Sequence, residues 1–446
     1  MSRKKGGSMK KLISTVLLVS TLIIYSSISA AKEIPSADAE RHGFSSERLI
    51  KITEFMNDQV DNGAMVGGLG LIAREGKIIY QKTFGLADRE QAKKMSKDSI
   101  FRIYSMTKPI TSVALMTLYE DGLFKLNDPI SKYLPEFLDV ELALSPQNPD
   151  DKSLLGKTKP PSRPPTILDL LRHTAGFTYG VFGNSEVDQL YRKAGLLGDN
   201  LDLKGFSEAL AAIPLQYEPG SRYHYSVSVD IQGRLIEVLS GKRFSMFLKE
   251  RLFEPLDMRD TDFQVTDENS DRLVQIYSPS GATGLSARNL GGTLVPVSDE
   301  SMKRFLEEGK FESGGGGLVS TVRDYLRFAQ MLLNGGELFG ERVLSPKTIQ
   351  LMAQNHLATL PKYNDSSGWG FGLGFGLSLS PSKQGVIGSA GTFGWSGVAG
   401  TRFWIDPAEE MIGIFFVQTI PNNYALADKF RTLMYAAVEE SKQPLH

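Results

Sequence analysis

Strand-like segments occur near both ends of this 446-residue chain, whereas its middle carries helical patterns and loops. The early run "GGLGLIAREGKIIYQKTFG" predicts two strands around a turn at residues 74–77. The late runs "FGLGFGLSLS", "GVAGTRFWID" and "MIGIFFVQTI" predict consecutive antiparallel strands. Strands bury their apolar faces by pairing in a sheet that other elements cover. The sequence therefore predicts an α/β (α+β) fold, in which an antiparallel sheet built from both chain ends is flanked by helices.

Helical periodicity surrounds these strands and also fills the middle of the chain. It is seen at residues 46–62, from Lys108 to Gly122, after the glycine run 314–317, and at residues 424–438. Between residues 121 and 299, helical pieces alternate with long loops, one of them rich in proline. We therefore predict an α/β domain from residues 32–120 and 300–446, and a mostly helical domain from residues 121–299.

The first 31 residues have the layout of a secretory signal peptide. A basic start, "MSRKKGGSMKKL", precedes an apolar run and then the small residues "YSSISAA". Ser29 and Ala31 fit the small-x-small rule, which predicts cleavage after Ala31 or Ala30. An uncleaved membrane anchor is the alternative, although the apolar part is shorter than the ~20 residues that span a bilayer. We expect an exported protein, periplasmic or secreted, with no membrane partner beyond this signal.

Composition excludes several classes of function. The chain has no cysteine, so it has no disulfide, thiol nucleophile or thiolate metal site. The net charge of -1 provides no basic excess for a nucleic-acid partner. No cluster of His, Asp and Glu has the spacing of metal ligands, and the glycine run is not followed by the Lys-Ser/Thr of a phosphate-binding loop. We expect neither a metal nor a cofactor.

The stretch "FRIYSMTKPITS" carries a serine and a lysine three residues apart at the start of a predicted helix. Residues i and i+3 lie on one helix face, so Lys108 can reach the hydroxyl of Ser105. A serine hydroxyl becomes a nucleophile when a base takes its proton, and lysine can be that base if its pKa is lowered. The same spacing occurs at Ser2 and Lys5, so the pair alone is a weak signal, and a capping serine beside a surface lysine is the alternative.

Other motifs occur in a consistent order along the chain. No G-x-S-x-G sequence is present, so the nucleophile elbow of α/β-hydrolases is absent. Instead, "LLRHTAGFTYG" follows the serine motif, "EPGSRYHYSVSVDIQGRLIEVLSG" presents Tyr225 at the start of a helix, and "GTFGWSGVAGTRFWIDP" forms a glycine-rich strand late in the chain.

Taken together, these motifs resemble the serine β-lactamase-like family over nearly the whole chain after residue 31. The family holds class C β-lactamases, D-alanyl-D-alanine carboxypeptidases and family VIII carboxylesterases. The resemblance implies that Ser105 accepts the acyl group and that Lys108 and Tyr225 share its proton transfer. It also implies that Trp395-Ser396-Gly397 lines the site, and that the backbone N–H groups of Ser105 and Val398 bind the oxyanion.

Two departures from the β-lactamase pattern bear on the substrate. Val227 stands where those members carry the asparagine of Tyr-x-Asn, and valine cannot hydrogen-bond a substrate amide. Trp395 stands where they carry the lysine of Lys-Thr-Gly, which replaces a cation with apolar area. The chain is therefore most similar to the family VIII esterases, although Arg402 could still supply a positive charge.

We expect a serine hydrolase that cleaves short-chain, neutral carboxylic esters. The alternatives are a β-lactamase or D-alanyl-D-alanine carboxypeptidase, and an inert binding protein on the same fold. His173 is interpreted as a structural loop histidine, and His224 as pointing away from the site. The glycine run 314–317 is expected to permit close backbone approach. Five further aromatic residues could line a pocket: Tyr104, Phe177, Tyr179, Phe182 and Phe393.

Overall fold

The computed structural model describes residues 32–144, 156–198, 200–282, 292–297, 304–307, 309, 311–361 and 363–443. The strands are β1 Gly67–Arg74, β2 Lys77–Asp88, β3 Lys93–Lys94, β4 Phe101–Arg102, β5 Leu142–Ala143, β6 Thr158–Lys159, β7 Tyr277–Pro279, β8 Leu294–Pro296, β9 Val319–Ser320, β10 Glu337–Leu338, β11 Glu341–Arg342, β12 Trp369–Phe371, β13 Gly376–Ser378, β14 Phe393–Ser396, β15 Arg402–Asp406 and β16 Met411–Val417. The α-helices are α1 Ser46–Asp61, α2 Thr107–Glu120, α3 Ile167–Leu171, α4 Glu186–Lys193, α5 Leu203–Ala211, α6 Ser228–Ser240, α7 Phe244–Leu248, α8 Val322–Leu333, α9 Pro346–Met352, α10 Pro381–Gln384 and α11 Tyr424–Ala436.

Strands from the two ends of the described chain form one eight-stranded antiparallel sheet. Its order is β12-β13-β14-β15-β16-β1-β2-β3, so the junction between the early and late strands is the pairing of β1 with β16. Leu71 lies opposite Ile414 in that pair, and all eight residues of β1 are buried. The predicted fold class is confirmed. The late run at residues 371–380 is not one strand: it holds the end of β12, a turn and β13.

The two faces of the sheet bury alternate residues of the same strand. Phe415 of β16 packs against Phe430 of α11, at 5.3 Å between ring centroids, within a core that includes Ile52 of α1. Its neighbour Phe416 points to the other face, where it meets Phe101 and Tyr325 of α8. Burial of each of these rings stabilises the fold by roughly 1.5–3 kcal/mol. Helices therefore cover both faces, and the second face leads to the turn after β4.

The middle of the chain contributes α3 to α7 and several long loops, as its sequence pattern predicts. The described residues from Pro35 onward belong to one compact unit. The boundaries between an α/β domain and a helical domain stay predictions. The signal-peptide prediction for residues 1–31 lies outside the described residues. Among the helices that are described, none combines the length and the apolar character needed to cross a bilayer.

Asp169 ties together the loops that lead from α3 towards the centre of the molecule. Its buried carboxylate accepts hydrogen bonds from Arg163 (2.6 and 3.0 Å), Arg172 (3.1 Å) and Thr174 (2.7 Å). It also accepts the backbone N–H of Thr166 as part of a capping box. Burial works to raise the pKa of Asp169, but these hydrogen bonds outweigh it and hold the pKa below its ordinary value.

We predict that Asp169→Asn lowers the free energy of unfolding by about 3 kcal/mol at pH 7, because two guanidinium groups lose their anion. A carboxylate with a lowered pKa stabilises the fold above its ordinary pKa and loses that contribution as pH falls through the lowered value. The difference between wild type and variant should therefore shrink between pH 7 and pH 3. Urea unfolding at several pH values measures it, with the exposed Asp139→Asn as control. Equal stability of both variants at pH 7 would contradict this role.

Candidate active site

Ser105 lies in a tight turn between β4 and α2. The turn is a 3-10 helix, Tyr104–Met106, that runs directly into α2. Tyr104 has φ 42°, a left-handed backbone conformation that is uncommon for a residue with a side chain. The hydroxyl of Tyr325 donates to the carbonyl of Met106 at 2.9 Å and so anchors the turn to α8. Ser105 is thus at the helix start that the sequence predicts, on a rigid turn.

Lys108 is buried one turn further along, with 1% of its surface exposed. Its Nζ lies 3.2 Å from Oγ of Ser105, 3.1 Å from the hydroxyl of Tyr179 and 2.5 Å from the carbonyl oxygen of Gly315. An ammonium group has three N–H donors, and here each has an acceptor. The site therefore satisfies a charged lysine completely, and it directs one of the three donors at the serine oxygen.

Tyr225 approaches Ser105 from the loop before α6. Its hydroxyl donates to Oγ of Ser105 at 2.7 Å, and Nζ of Lys108 lies 4.7 Å from the centre of its ring. The ring of Tyr179 stacks on that of Tyr225 at 5.3 Å and 19° between planes. The structure thus brings together the three residues that the sequence predicts as catalytic, and it adds Tyr179 as a second phenol on Lys108.

The pKa of Lys108 decides whether this lysine can act as the base that takes the proton of Ser105. Burial by itself lowers the pKa of Lys108, but Tyr179, Tyr225 and Asp230 outweigh burial and raise the pKa above its ordinary value. Burial also raises the pKa of Tyr179. A lysine base requires a lowered pKa. Lys108 therefore does not meet this condition, because the surrounding hydrogen-bond acceptors and the carboxylate favour its ammonium form.

The two histidines near the motifs hold the loop around Tyr225. His173 is buried, and its Nδ1 accepts the backbone N–H of Ser226 at 3.3 Å. Burial, with Lys108 adding to it, keeps the pKa of His173 well below its ordinary value. His224 contacts the hydroxyl of Thr178 at 3.3 Å, and neither histidine contacts Ser105 by a hydrogen bond. The structural interpretation of His173 agrees with these contacts, while His224 reaches the wall of the cleft described next.

The hydroxyl of Ser105 opens into a cleft of about 1310 Å³. Trp395, Ser396 and Val398 line it along the end of β14. Gly397 is not among the lining residues. A Cβ at this position would collide with the carbonyl oxygen of Ile103 and with the side chain of Thr401, so Gly397 permits close contact with the serine turn. The predicted substrate-binding strand therefore lies beside Ser105. Gly397 does not line the cleft but allows this strand to pack against the serine turn.

Aromatic rings form one wall of the cleft. Tyr179, Phe182, Tyr223 and Tyr225 line it together with Trp395, whose ring lies 5.7 Å from that of Tyr225. Tyr104, Phe177 and Phe393 are not among the lining residues, so two of the five aromatic candidates, Tyr179 and Phe182, line the cleft.

Charged side chains are missing from the described lining of the cleft. Its polar groups are hydroxyls, amides and the imidazole of His224, supplied by Ser105, Asn62, Thr178, Tyr179, Tyr223, His224, Tyr225, Ser396, Thr419, Asn422, Asn423 and Tyr424. Arg402 is outside the lining and forms an ion pair with Asp428 at 2.5 Å. Val227 is fully buried and does not reach the cleft. Within the described part of the chain, no group of three or more His, Asp or Glu could hold a metal ion.

The comparisons with known proteins agree with this geometry. A sequence profile of the β-lactamase family matches residues 52–436. Esterase EstB of Burkholderia gladioli is 30% identical over 357 residues, 77% of this chain and 83% of the relative. Protein Rv1367c of Mycobacterium tuberculosis is 32% identical over 371 residues, 81% of this chain and 88% of the relative.

Among solved structures, EstCE1, a hydrolase with promiscuous acyltransferase activity, superposes with a TM-score of 0.73 at 28% identity. The match covers 88% of this chain and 99% of the other. The chain therefore belongs to the β-lactamase family of serine hydrolases, as its motifs indicate. Esterases are among its relatives, at moderate identity.

We predict that Tyr179→Phe slows the reaction of Ser105 with a fluorophosphonate about tenfold, because Lys108 loses one acceptor while the ring stack remains. Tyr223→Phe is the matched control, since its ring lines the same wall but neither Ser105 nor Lys108 is bonded to its hydroxyl. The labelling rate at pH 7.5 measures both. Equal rates for the two variants would contradict a role for the Tyr179 hydroxyl.

Proposed function

We propose that this protein is an exported serine carboxylesterase that cleaves short-chain esters of neutral alcohols and acids. The single observation that carries the proposal is the hydroxyl of Ser105, which contacts both Tyr225 and Lys108 at the floor of a cleft without described charged lining. The relatives named as esterases support the reaction class. The neutral, partly aromatic lining supports the preference for uncharged substrates over anionic ones.

In the proposed acylation step, Oγ of Ser105 attacks the ester carbonyl carbon. The Tyr225 hydroxyl, which donates to Oγ in the free protein, turns its proton to the alcohol oxygen of the ester. It then accepts the serine proton and gives its own to that oxygen as the bond between the acyl carbon and the alcohol oxygen breaks, so protons and bonds balance. Lys108, as an ammonium, stabilises the negative charge that develops on the serine and tyrosine oxygens. The backbone N–H groups of Ser105 and Val398, both at the cleft, are proposed to bind the oxyanion.

Deacylation would use the same groups in reverse order. Water attacks the acyl carbon, Tyr225 takes a proton from this water, and its own proton returns to Oγ of Ser105. The cycle releases the acid and restores the free serine without a metal or cofactor in any step. It needs the Tyr225 hydroxyl within hydrogen-bond reach of Oγ, and the observed distance is 2.7 Å.

We predict that the purified protein turns over p-nitrophenyl acetate and butyrate far faster than nitrocefin, and that Ser105→Ala abolishes both activities. The ratio of kcat/KM values measures this, because acylation chemistry is shared while recognition differs. Tyr225→Phe should lower kcat about 10²- to 10⁴-fold, the usual contribution of a positioned proton carrier. Nitrocefin turnover equal to ester turnover would favour a β-lactamase, and unchanged activity in Ser105→Ala would remove the nucleophile assignment.

We also predict that the enzyme discriminates against anionic esters. The matched substrates are 4-acetoxybenzamide, which is neutral, and 4-acetoxybenzoate, which is anionic. For each ester, kcat/KM is divided by the rate constant of its hydroxide-catalysed hydrolysis, and this ratio should be about tenfold or more higher for the neutral ester. The reason is that the described lining of the cleft holds no charged side chain, so a substrate carboxylate there loses its hydration without gaining an ion pair with the wall. Trp395→Lys should narrow this gap by supplying a cation at the cleft wall. A gap that is absent in the wild type would contradict the neutral-substrate proposal.

A further inference from the structure

Asp230 is a buried carboxylate that the proposed reaction does not use directly. It lies in the first turn of α6, and none of its surface is exposed. One carboxylate oxygen, Oδ1, accepts the hydroxyl of Ser313 at 2.6 Å and the backbone N–H of Gly315 at 3.0 Å. The other oxygen, Oδ2, has no hydrogen-bond partner among the residues that the structure describes. A carboxylate in this state is costly to bury, so its retention calls for a reason.

Gly315 links this carboxylate to the active site. Its N–H binds Asp230, while its carbonyl oxygen accepts a hydrogen bond from Nζ of Lys108 at 2.5 Å. The neighbouring carbonyl of Gly314 accepts the hydroxyl of Thr111 in α2 at 2.9 Å. The glycine segment is therefore attached on one side to α6 and on the other to the helix that carries Lys108.

Glycine is needed at three of the four positions of this segment for steric reasons, and two of these positions face α6. A Cβ on Gly315 would lie 2.7 Å from Oδ2 of Asp230, and one on Gly314 would lie 2.6 Å from the carbonyl oxygen of Val229. A Cβ on Gly316 would meet nothing closer than 3.7 Å. The glycine run thus permits the close backbone approach that its sequence predicts, and the approach is made to α6.

We propose that Asp230 is a positioning residue, which holds Gly315 so that the carbonyl of Gly315 fixes Lys108 in place. The negative charge of Asp230 also keeps Lys108 as an ammonium beside Ser105. This inference rests on the proposed serine-hydrolase function and concerns how its lysine is held. The groups that face Lys108 are the phenols of Tyr179 and Tyr225, the imidazole of His173 and the carboxylate of Asp230. Among these described groups, Asp230 is the carboxylate, so its charge can balance the buried ammonium.

The main test compares Asp230→Asn with Asp324→Asn in the full chain. Asp324 is a matched control, because it is also fully buried in the first turn of a helix and binds a backbone N–H and a hydroxyl, those of Asp260 and Thr261. The asparagine oxygen can still accept both bonds of Asp230, so Asp230→Asn removes mainly the charge. We expect kcat for p-nitrophenyl butyrate to fall roughly 10- to 100-fold with KM nearly unchanged. This is the loss typically seen when a residue that only orients a functional group is changed.

The pH profile separates this role from a purely structural one. Removal of a negative charge beside an ammonium lowers the pKa of that ammonium. In Asp230→Asn, the alkaline limb of kcat/KM should therefore move to lower pH, whereas Asp324→Asn should keep the wild-type profile. An unshifted profile in Asp230→Asn, or an equal loss of kcat in both variants, would overturn the proposal.

A glycine pair keeps the test open if Asp230→Asn fails to fold. Gly315→Ala should displace the carbonyl from Lys108 and lower kcat at least tenfold, while Gly316→Ala should stay within about twofold of wild type. Equal effects of the two alanines would overturn the role of Gly315. The rate of fluorophosphonate labelling of Ser105 provides the same comparisons without an ester. Wild-type protein that labels but does not turn over esters would therefore refute the proposed substrate and leave the positioning role measurable.

Discussion

The active site depends on a single buried ammonium group. Lys108 is held by acceptors from three separate parts of the chain: the serine turn, the loop that carries Tyr179, and the glycine run. A buried charge without partners costs several kcal/mol, so these segments are stable only when they meet around it. The requirement to satisfy one cation therefore specifies how the sheet-bound turn, the middle segment and the glycine run are arranged.

The sheet supplies the rigidity that this arrangement needs. Ile103 just before the serine turn is bonded to Leu318, and the close approach of Gly397 holds the end of β14 against the same turn. Tyr325 secures the turn from α8. The first support comes from the segment beside β9, which pairs with β4. The second comes from an inner strand of the large sheet, and the third from a helix on its second face. The serine hydroxyl held by these supports lies 2.7 Å from the hydroxyl of Tyr225.

Much of the fold and of the candidate site can be predicted from the sequence. The rest depends on contacts between residues that are far apart in the chain. The strand runs at the two chain ends and the helix after Ser105 predict the sheet and its helices. The grouping of Ser105, Lys108 and Tyr225 is what the resemblance of the ordered motifs to the serine β-lactamase-like family implies. The contact of Tyr179 with Lys108 joins residues 71 positions apart, and no local spacing predicts it. The sequence also does not predict the raised pKa of Lys108, because this pKa depends on which groups surround the buried ammonium. The sequence offers Arg402 as a candidate cation, but its side chain pairs with Asp428 and lies outside the described cleft lining.

The pairing of β1 with β16 has a consequence for the time at which the site forms during synthesis. Contacts between residues far apart in sequence form late and slow the folding of a chain, since the loop between them must close first. The first strand of the sheet is made early, but its partner between Met411 and Val417 follows after most of the chain. A nascent chain therefore carries Ser105 long before the strand that joins the two ends of the sheet has been made.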